Sequence, residues 1–222
     1  MDAKSSKTKN ELKIIVVGNS GTGKTSFVNK WTKNTFSENY KATIVSEFSY
    51  KIQEFKGKFY KIQLWDLAGQ DQNTCITKIF SKDSHGCIVL SDITNPKSLE
   101  ESIKWKNSID DNTKFLDGDY LPSVLVRNKT DLLEGETTDD AEVKEFADKN
   151  KFINVFKTSA KMGNGIEECM VFLITTIIDR LEKCSKDGKN PLEKERSSIV
   201  LQSSKTKTKK EQGGEGGNGL CC

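Results

Sequence analysis

The sequence predicts an α/β protein whose core is a doubly wound, mostly parallel six-stranded sheet with one antiparallel edge strand. Three observations lead there. Short β-branched apolar runs alternate with segments whose apolar residues repeat at helical spacing, the pattern of strands joined by helices. The first run ends in a glycine-rich stretch, Gly18-Asn19-Ser20-Gly21-Thr22-Gly23-Lys24-Thr25, of the kind that turns a strand sharply into a helix. One pair of strand-like runs is separated only by Lys56-Gly57-Lys58, which reads as a hairpin turn and so supplies the antiparallel edge.

Taken in order, Lys13 to Val17 reads as a buried parallel strand, being a continuous apolar run rather than an alternating one. A helix follows from Thr25 to about Lys33, then the hairpin strands Glu47 to Glu54 and Phe59 to Asp66. Cys87 to Asp92, Ser123 to Asn128 and Phe152 to Phe156 complete the strands. The helices between them are Ser98 to Ile109, with Leu99, Ile103 and Trp105 on neighbouring turns, and Thr138 to Asn150, with Val143, Phe146 and Ala147. The strongest helical pattern is Ile166 to Leu181, where Met170, Leu173, Ile174, Ile177 and Leu181 share a face.

A chain of 222 residues holds one domain and a tail. Residues 1–11 are polar and read as a flexible N-terminus, residues 12–182 as the globular domain, and residues 183–222, rich in Gly, Ser, Lys and Glu, as a disordered tail. A net charge of +3 is too small to suggest nucleic-acid binding. The Lys205, Lys207, Lys209, Lys210 run is either a solvated tail or an attraction to an anionic membrane. No secretory signal is visible, and Asp2 is incompatible with N-myristoylation. The longest apolar stretch, Cys169 to Ile178, is too short to span a bilayer. Cys75, Cys87, Cys169 and Cys184 show no disulfide or metal spacing; Cys87 and Cys169 are expected as small core residues, and His85 as a structural one.

The glycine-rich stretch matches G-x-x-x-x-G-K-[ST]. Glycines let the backbone curl until several N–H groups face one phosphate, and the helix behind adds its dipole. Lys24 would reach the β- and γ-phosphates and Thr25 would ligate Mg²⁺. In Trp65-Asp66-Leu67-Ala68-Gly69-Gln70, an acid at a strand end can hold Mg²⁺ through water, Gly69 can offer its N–H to the γ-phosphate, and Gln70 can orient the attacking water. In Asn128-Lys129-Thr130-Asp131 the carboxylate can accept two N–H bonds from guanine, whereas adenine would leave buried groups unpaired. Thr158-Ser159-Ala160-Lys161 follows the last strand, and its backbone could bind the guanine oxygen. Asn128-Lys129-Thr130 also fits a glycosylation sequon, an accidental match in the absence of a signal peptide.

Together these motifs resemble those of Ras-like small GTPases, P-loop NTPases with a small G domain, over about Leu12 to Leu181. The resemblance implies that Thr43 is the switch I threonine meeting Mg²⁺ and the γ-phosphate, and that Phe36 packs against the guanine. Ser20 stands where some members have a glycine whose loss impairs hydrolysis, but serine is common there in the Rab branch. That branch is the best match: Phe48, Trp65 and Phe80 occupy its aromatic triad, and the terminal Leu220-Cys221-Cys222 looks like its double geranylgeranylation signal. Tyr40 to Ile44, Leu67 and Lys104-Trp105-Lys106 look similar to the Rab subgroup of lysosome-related organelles. Ile44-Val45-Ser46-Glu47-Phe48, Asp71-Gln72-Asn73 and Phe80-Ser81 depart from the usual Rab segments that face effectors and regulators.

The resemblance implies GTP or GDP and Mg²⁺ as ligands and slow GTP hydrolysis. It also implies an exchange factor, an activating protein, effectors at the switches and a GDI-type prenyl-binding escort. The expected state is a monomer on the cytoplasmic face of an endosomal or lysosome-related membrane, cycling with the cytosol. Two other readings compete: a P-loop ATPase or small-molecule kinase, and a nucleotide-locked scaffold with little turnover.

Overall fold

Strand β1 (Glu11–Val17) lies inside the sheet because nearly all of it is apolar; Ile14 to Val17 are wholly buried. The structure, a computed structural model, describes residues 10–39, 43, 46–69, 75–133 and 140–186. Gln70, Asp71-Gln72-Asn73, the Lys205–Lys210 run, and Cys221 and Cys222 lie outside the described residues.

After β1 come α1 (Lys24–Lys33), β2 (Glu47–Phe55), β3 (Lys58–Asp66), α2 (Cys75–Ser81), β4 (Gly86–Asp92) and α3 (Pro96–Asn112). They are followed by β5 (Ser123–Asn128), a 3₁₀ turn (Thr130–Leu132), α4 (Asp140–Lys149), β6 (Asn154–Thr158) and α5 (Ile166–Lys186). Among the described residues, six strands pair in the order β2-β3-β1-β4-β5-β6. Only β2 runs antiparallel, against β3; the other pairings are parallel. The expected sheet is the one found. Lys56 and Gly57 both have positive φ, 50° and 72°, the two-residue turn whose twist suits a hairpin.

The chain proceeds from β1 to one side through β3 and to the other through β4. The strand order therefore reverses at β1, and the loops at the carboxyl ends of the strands form a crevice there.

Several limits differ from the sequence reading. Strand β6 begins at Asn154, not Phe152: Phe152 is buried but lies before the first residue paired with β5. Helix α3 starts at Pro96, whose missing N–H suits the first helical position, and runs on to Asn112. Its last turns contain a buried Lys106–Asp110 ion pair that looks like surface in a hydrophobic pattern. Helix α5 continues to Lys186 with Cys184 buried in the core, so residues 183–186 belong to the folded domain and not to the tail, and α2 is an element the sequence reading lacks. Cys87 and Cys169 are wholly buried, and burial pushes the Cys87 thiol up to about 12. The His85 Nδ1 accepts the Lys13 backbone N–H at 3.0 Å. Among the described residues, no helix is long and apolar enough to cross a membrane.

Candidate functional site

The crevice is a cleft of about 670 Å³, within the range of small-molecule sites. Its walls come from the turn after β1, the start of α1, the segment after α1, and the loops after β3, β5 and β6. Of the residues singled out in the sequence, Ser20, Gly21, Gly23, Lys24, Thr25, Phe36, Thr43, Gly69, Asn128, Lys129, Asp131, Ala160 and Lys161 line it. Asn19, Thr22, Asp66 and Ser159 stand behind that lining and hold it in place.

The turn between β1 and α1 is glycine-dependent at Gly23. Its φ is 91°, and a Cβ there would lie 2.4 Å from the Asn128 amide nitrogen. Gly69 is needed for a different reason: a Cβ would lie 2.3 Å from the Ser20 nitrogen. The loop after β3 therefore rests directly on the turn after β1.

Lys24 is only 6% exposed. Its ammonium donates to the carbonyls of Gly18 (2.8 Å) and Asn19 (2.9 Å). Burial pulls its pKa down to about 8, with Asp66 opposing that effect. Asp66, at the end of β3, is displaced in the opposite sense. Burial raises its pKa, and the Thr25 hydroxyl bond and Lys24 only partly offset this. Thr25 Oγ1 donates to Asp66 Oδ2 and lies 2.8 Å from Thr43 Oγ1. Asp66 Oδ1 is buried without a hydrogen-bond partner among the described residues. A buried lysine held by backbone carbonyls and a buried carboxylate with an unpartnered oxygen thus stand close enough to act on each other's charge. The hard oxygens of Thr25, Thr43 and Asp66 suit Mg²⁺, which takes one or two carboxylates and completes its shell with phosphate and water. Among the described residues there is no group of three or more His, Cys, Asp or Glu side chains that would form an all-protein cage.

At the other end, Asn128 acts as a staple between three loops. Its Nδ2 donates to the Thr22 carbonyl (3.0 Å), while its Oδ1 accepts from Thr158 Oγ1 (3.0 Å) and the Ala160 N–H (3.1 Å). It is 1% exposed, so the sequon match is sterically closed. Lys129 has a φ of 72° and pairs with Asp92 at 2.7 Å. Burial alone would raise the Asp92 carboxyl, but Lys129 and Thr94 outweigh it and hold it low. Asp131 Oδ1 accepts from Ser159 Oγ at 2.5 Å, so the carboxylate is braced by the loop after β6. Lys161 pairs with Glu38 at 2.8 Å across the rim, and their mutual hydrogen bond raises the lysine and lowers the carboxyl.

Sequence reasoning missed the site roles of Asp92, Glu38 and the two α3 residues that bind Asn19, Glu101 and Trp105. Asp92 carried the same signal as Asp66, an acid ending a buried strand. Glu38 carried none.

Outside the cleft, Trp65 stacks on Phe48 (5.3 Å between ring centres) and tilts against Phe80 (5.4 Å). Phe48 is 55% exposed, so the triad forms a continuous aromatic patch that reaches solvent.

A family model, the Ras family, matches residues 13–179. The chain is 31% identical over 169 residues to the Ras-related protein Rab-7L1 of Rattus norvegicus, covering 76% of this chain and 82% of that one. It is 33% identical over 168 residues to Rab-32 of Homo sapiens, covering 75% of each chain. It is 34% identical over 168 residues to Rab-32C of Dictyostelium discoideum, covering 76% and 74% respectively. The chain belongs to the Ras family. Within it, this is a Rab-type small GTPase, of the branch that holds the Rab-32 and Rab-7L1 relatives. It binds GTP and GDP, hydrolyses GTP, and works with regulators and effectors in membrane-associated vesicle trafficking. Membership does not favour the scaffold without turnover.

Proposed function

We propose that the cleft binds guanine nucleotide with Mg²⁺ and that these side chains perform the hydrolysis-driven switch. The observation that carries this reading is the buried Asp66 carboxylate, bonded to the Thr25 hydroxyl with its Oδ1 unpartnered among the described residues, at the same end of the cleft as buried Lys24. Each charge costs free energy where it stands, and a phosphate chain with its cation would relieve both. The backbone from Asn19 to Gly23 and the Gly69 N–H cradle the phosphates, with Lys24 neutralising the β- and γ-groups. Thr25, Thr43 and Asp66 would hold Mg²⁺, which would supply positive charge to balance that developing on the phosphates. Asp131 reads the base through two N–H bonds, Ala160 and Lys161 close over it, Phe36 packs beside it, and Gln70 orients the attacking water.

No arginine lines the cleft among the described residues. Hydrolysis alone is therefore slow, and an activating protein supplying an arginine accelerates it by about 10³–10⁵-fold. Thr43 and Gly69 hold the γ-phosphate and let go once it leaves, which frees the switches. Effectors read the Phe48–Trp65–Phe80 patch. The folded domain forms the switch, and the tail beyond α5 carries prenyl chains on Cys221 and Cys222. These chains place the protein on endosomal or lysosome-related membrane, with a GDI-type escort and an exchange factor completing the cycle.

The test is single-turnover hydrolysis of GTP in Mg²⁺ or EDTA, with excess ATP as competitor. The proposal expects Mg²⁺-dependent phosphate release that ATP does not suppress. Equal competition by ATP, or release indifferent to EDTA, would overturn it.

A further inference from the structure

The P-loop pattern accepts any residue at position 19, yet both the oxygen and the nitrogen of the Asn19 side-chain amide are engaged. Trp105 Nε1–H donates to its Oδ1 at 2.8 Å, and its Nδ2 donates to the Glu101 carboxylate. An indole N–H only donates and a carboxylate only accepts, so the amide has one possible orientation. Both partners stand on α3, four residues apart and therefore on one face. Trp105 is wholly buried, so this anchor is fixed by the core.

The main chain of the same residue carries the cleft. The Asn19 carbonyl accepts from Lys24 Nζ and from Thr22 Oγ1, both at 2.9 Å. Gly69 packs on the Asn19–Ser20 peptide, since a Cβ there would come within 2.7 Å of the Asn19 carbonyl carbon. One peptide thus meets the phosphate-binding lysine and the loop after β3, and α3 grips it by its side chain.

We propose that Glu101 and Trp105 are positioning residues that clamp the phosphate loop through Asn19 and so set how long the protein retains nucleotide. The inference rests on the cleft being the nucleotide site. The chemistry of the clamp is specific: an amide donor faces a carboxylate. Asn19→Asp would set two carboxylates against each other and push the loop off its seat. Adding Glu101→Gln would restore a donor–acceptor pair in reversed polarity, with the Trp105 N–H still served.

The experiment measures release of N-methylanthraniloyl-GDP from the full chain in Mg²⁺ after addition of excess GDP. Asn19→Asp should release about tenfold faster, as expected for one charge-assisted hydrogen bond lost. The Asn19→Asp, Glu101→Gln double variant should return to within about threefold of wild type. Trp105→Phe, which keeps the ring but loses the N–H, should also accelerate release, and the polar pair decides the matter if Trp105→Phe fails to fold. A residue of merely structural importance would lower thermal stability without this polarity-specific rescue. Wild-type release from Asn19→Asp, or a double variant as fast as the single, would overturn the clamp. Failure of the underlying site would appear separately, as Lys24→Ala retaining wild-type GDP affinity.

Discussion

The hydroxyls of Thr25 and Thr43 lie 2.8 Å apart, joining the first turn of α1 to the segment that leads toward β2. With Thr25 also bonded to Asp66, a single hydroxyl gathers the oxygens proposed for Mg²⁺. Thr25→Asn replaces that hydroxyl by a larger amide that fits this geometry poorly. It should weaken Mg²⁺-supported GTP binding by roughly 10–100-fold, the scale seen when a metal site loses a contact, and GDP binding by less. Titrating both nucleotides with and without Mg²⁺ checks this, and equal Mg²⁺ dependence in variant and wild type counts against the metal role.

His85 makes folding stability pH-dependent. Its Nδ1 is occupied by the Lys13 N–H, and burial, followed by the Lys13 ammonium, holds its pKa below the ordinary 6.5. The unfolded chain therefore binds a proton that the folded chain refuses. That contribution is fully present above pH 6.5 and is lost as pH falls through 6.5 toward the lower folded value. Thermal melts between pH 7.5 and pH 5.5 should show a steeper fall in wild type than in His85→Asn, which cannot titrate. Parallel curves would show that His85 is protonated as readily in the fold as outside it.

Membrane attachment should depend on Cys221 and Cys222 far more than on the Lys205–Lys210 run. Each buried CH₂ of a prenyl chain contributes about 0.8 kcal/mol. Each lysine near the surface adds about 1 kcal/mol at most, and salt screens it. Replacing both cysteines by serine should leave the protein cytosolic on fractionation of cells with active prenyltransferase, and neutralising the lysines should leave much of it bound. Retention of the serine variant on membranes would contradict the lipid anchor.

The sheet was legible because its strands are apolar and its turns are glycine-marked, both local properties. The β1 turn, the hairpin at Lys56-Gly57 and the strand-end acid Asp66 all announce themselves within a few residues. The true end of β6 did not: Thr158 is polar, yet it is buried because its hydroxyl meets Asn128. The length of α3 was hidden for a similar reason, since Lys106 and Asp110 are buried only because they pair. In the cleft, the residues of the nucleotide motifs were readable. Their supports were not, because Glu101, Trp105 and Glu38 reach Asn19 and Lys161 across 82, 86 and 123 positions of sequence.

Base recognition by Asp131 is the claim on which the account turns. Its carboxylate is braced by the Ser159 hydroxyl at 2.5 Å and lines the cleft opposite the lysine–carboxylate end. Guanine offers it two N–H donors, while xanthine presents a carbonyl where guanine has its amine. The most direct measurement is competition between GTP and XTP for wild type and Asp131→Asn. The account predicts that the variant loses about a hundredfold or more in GTP affinity, the scale of two charge-assisted hydrogen bonds, and comes to prefer XTP. A variant that kept the wild-type preference for GTP would contradict it.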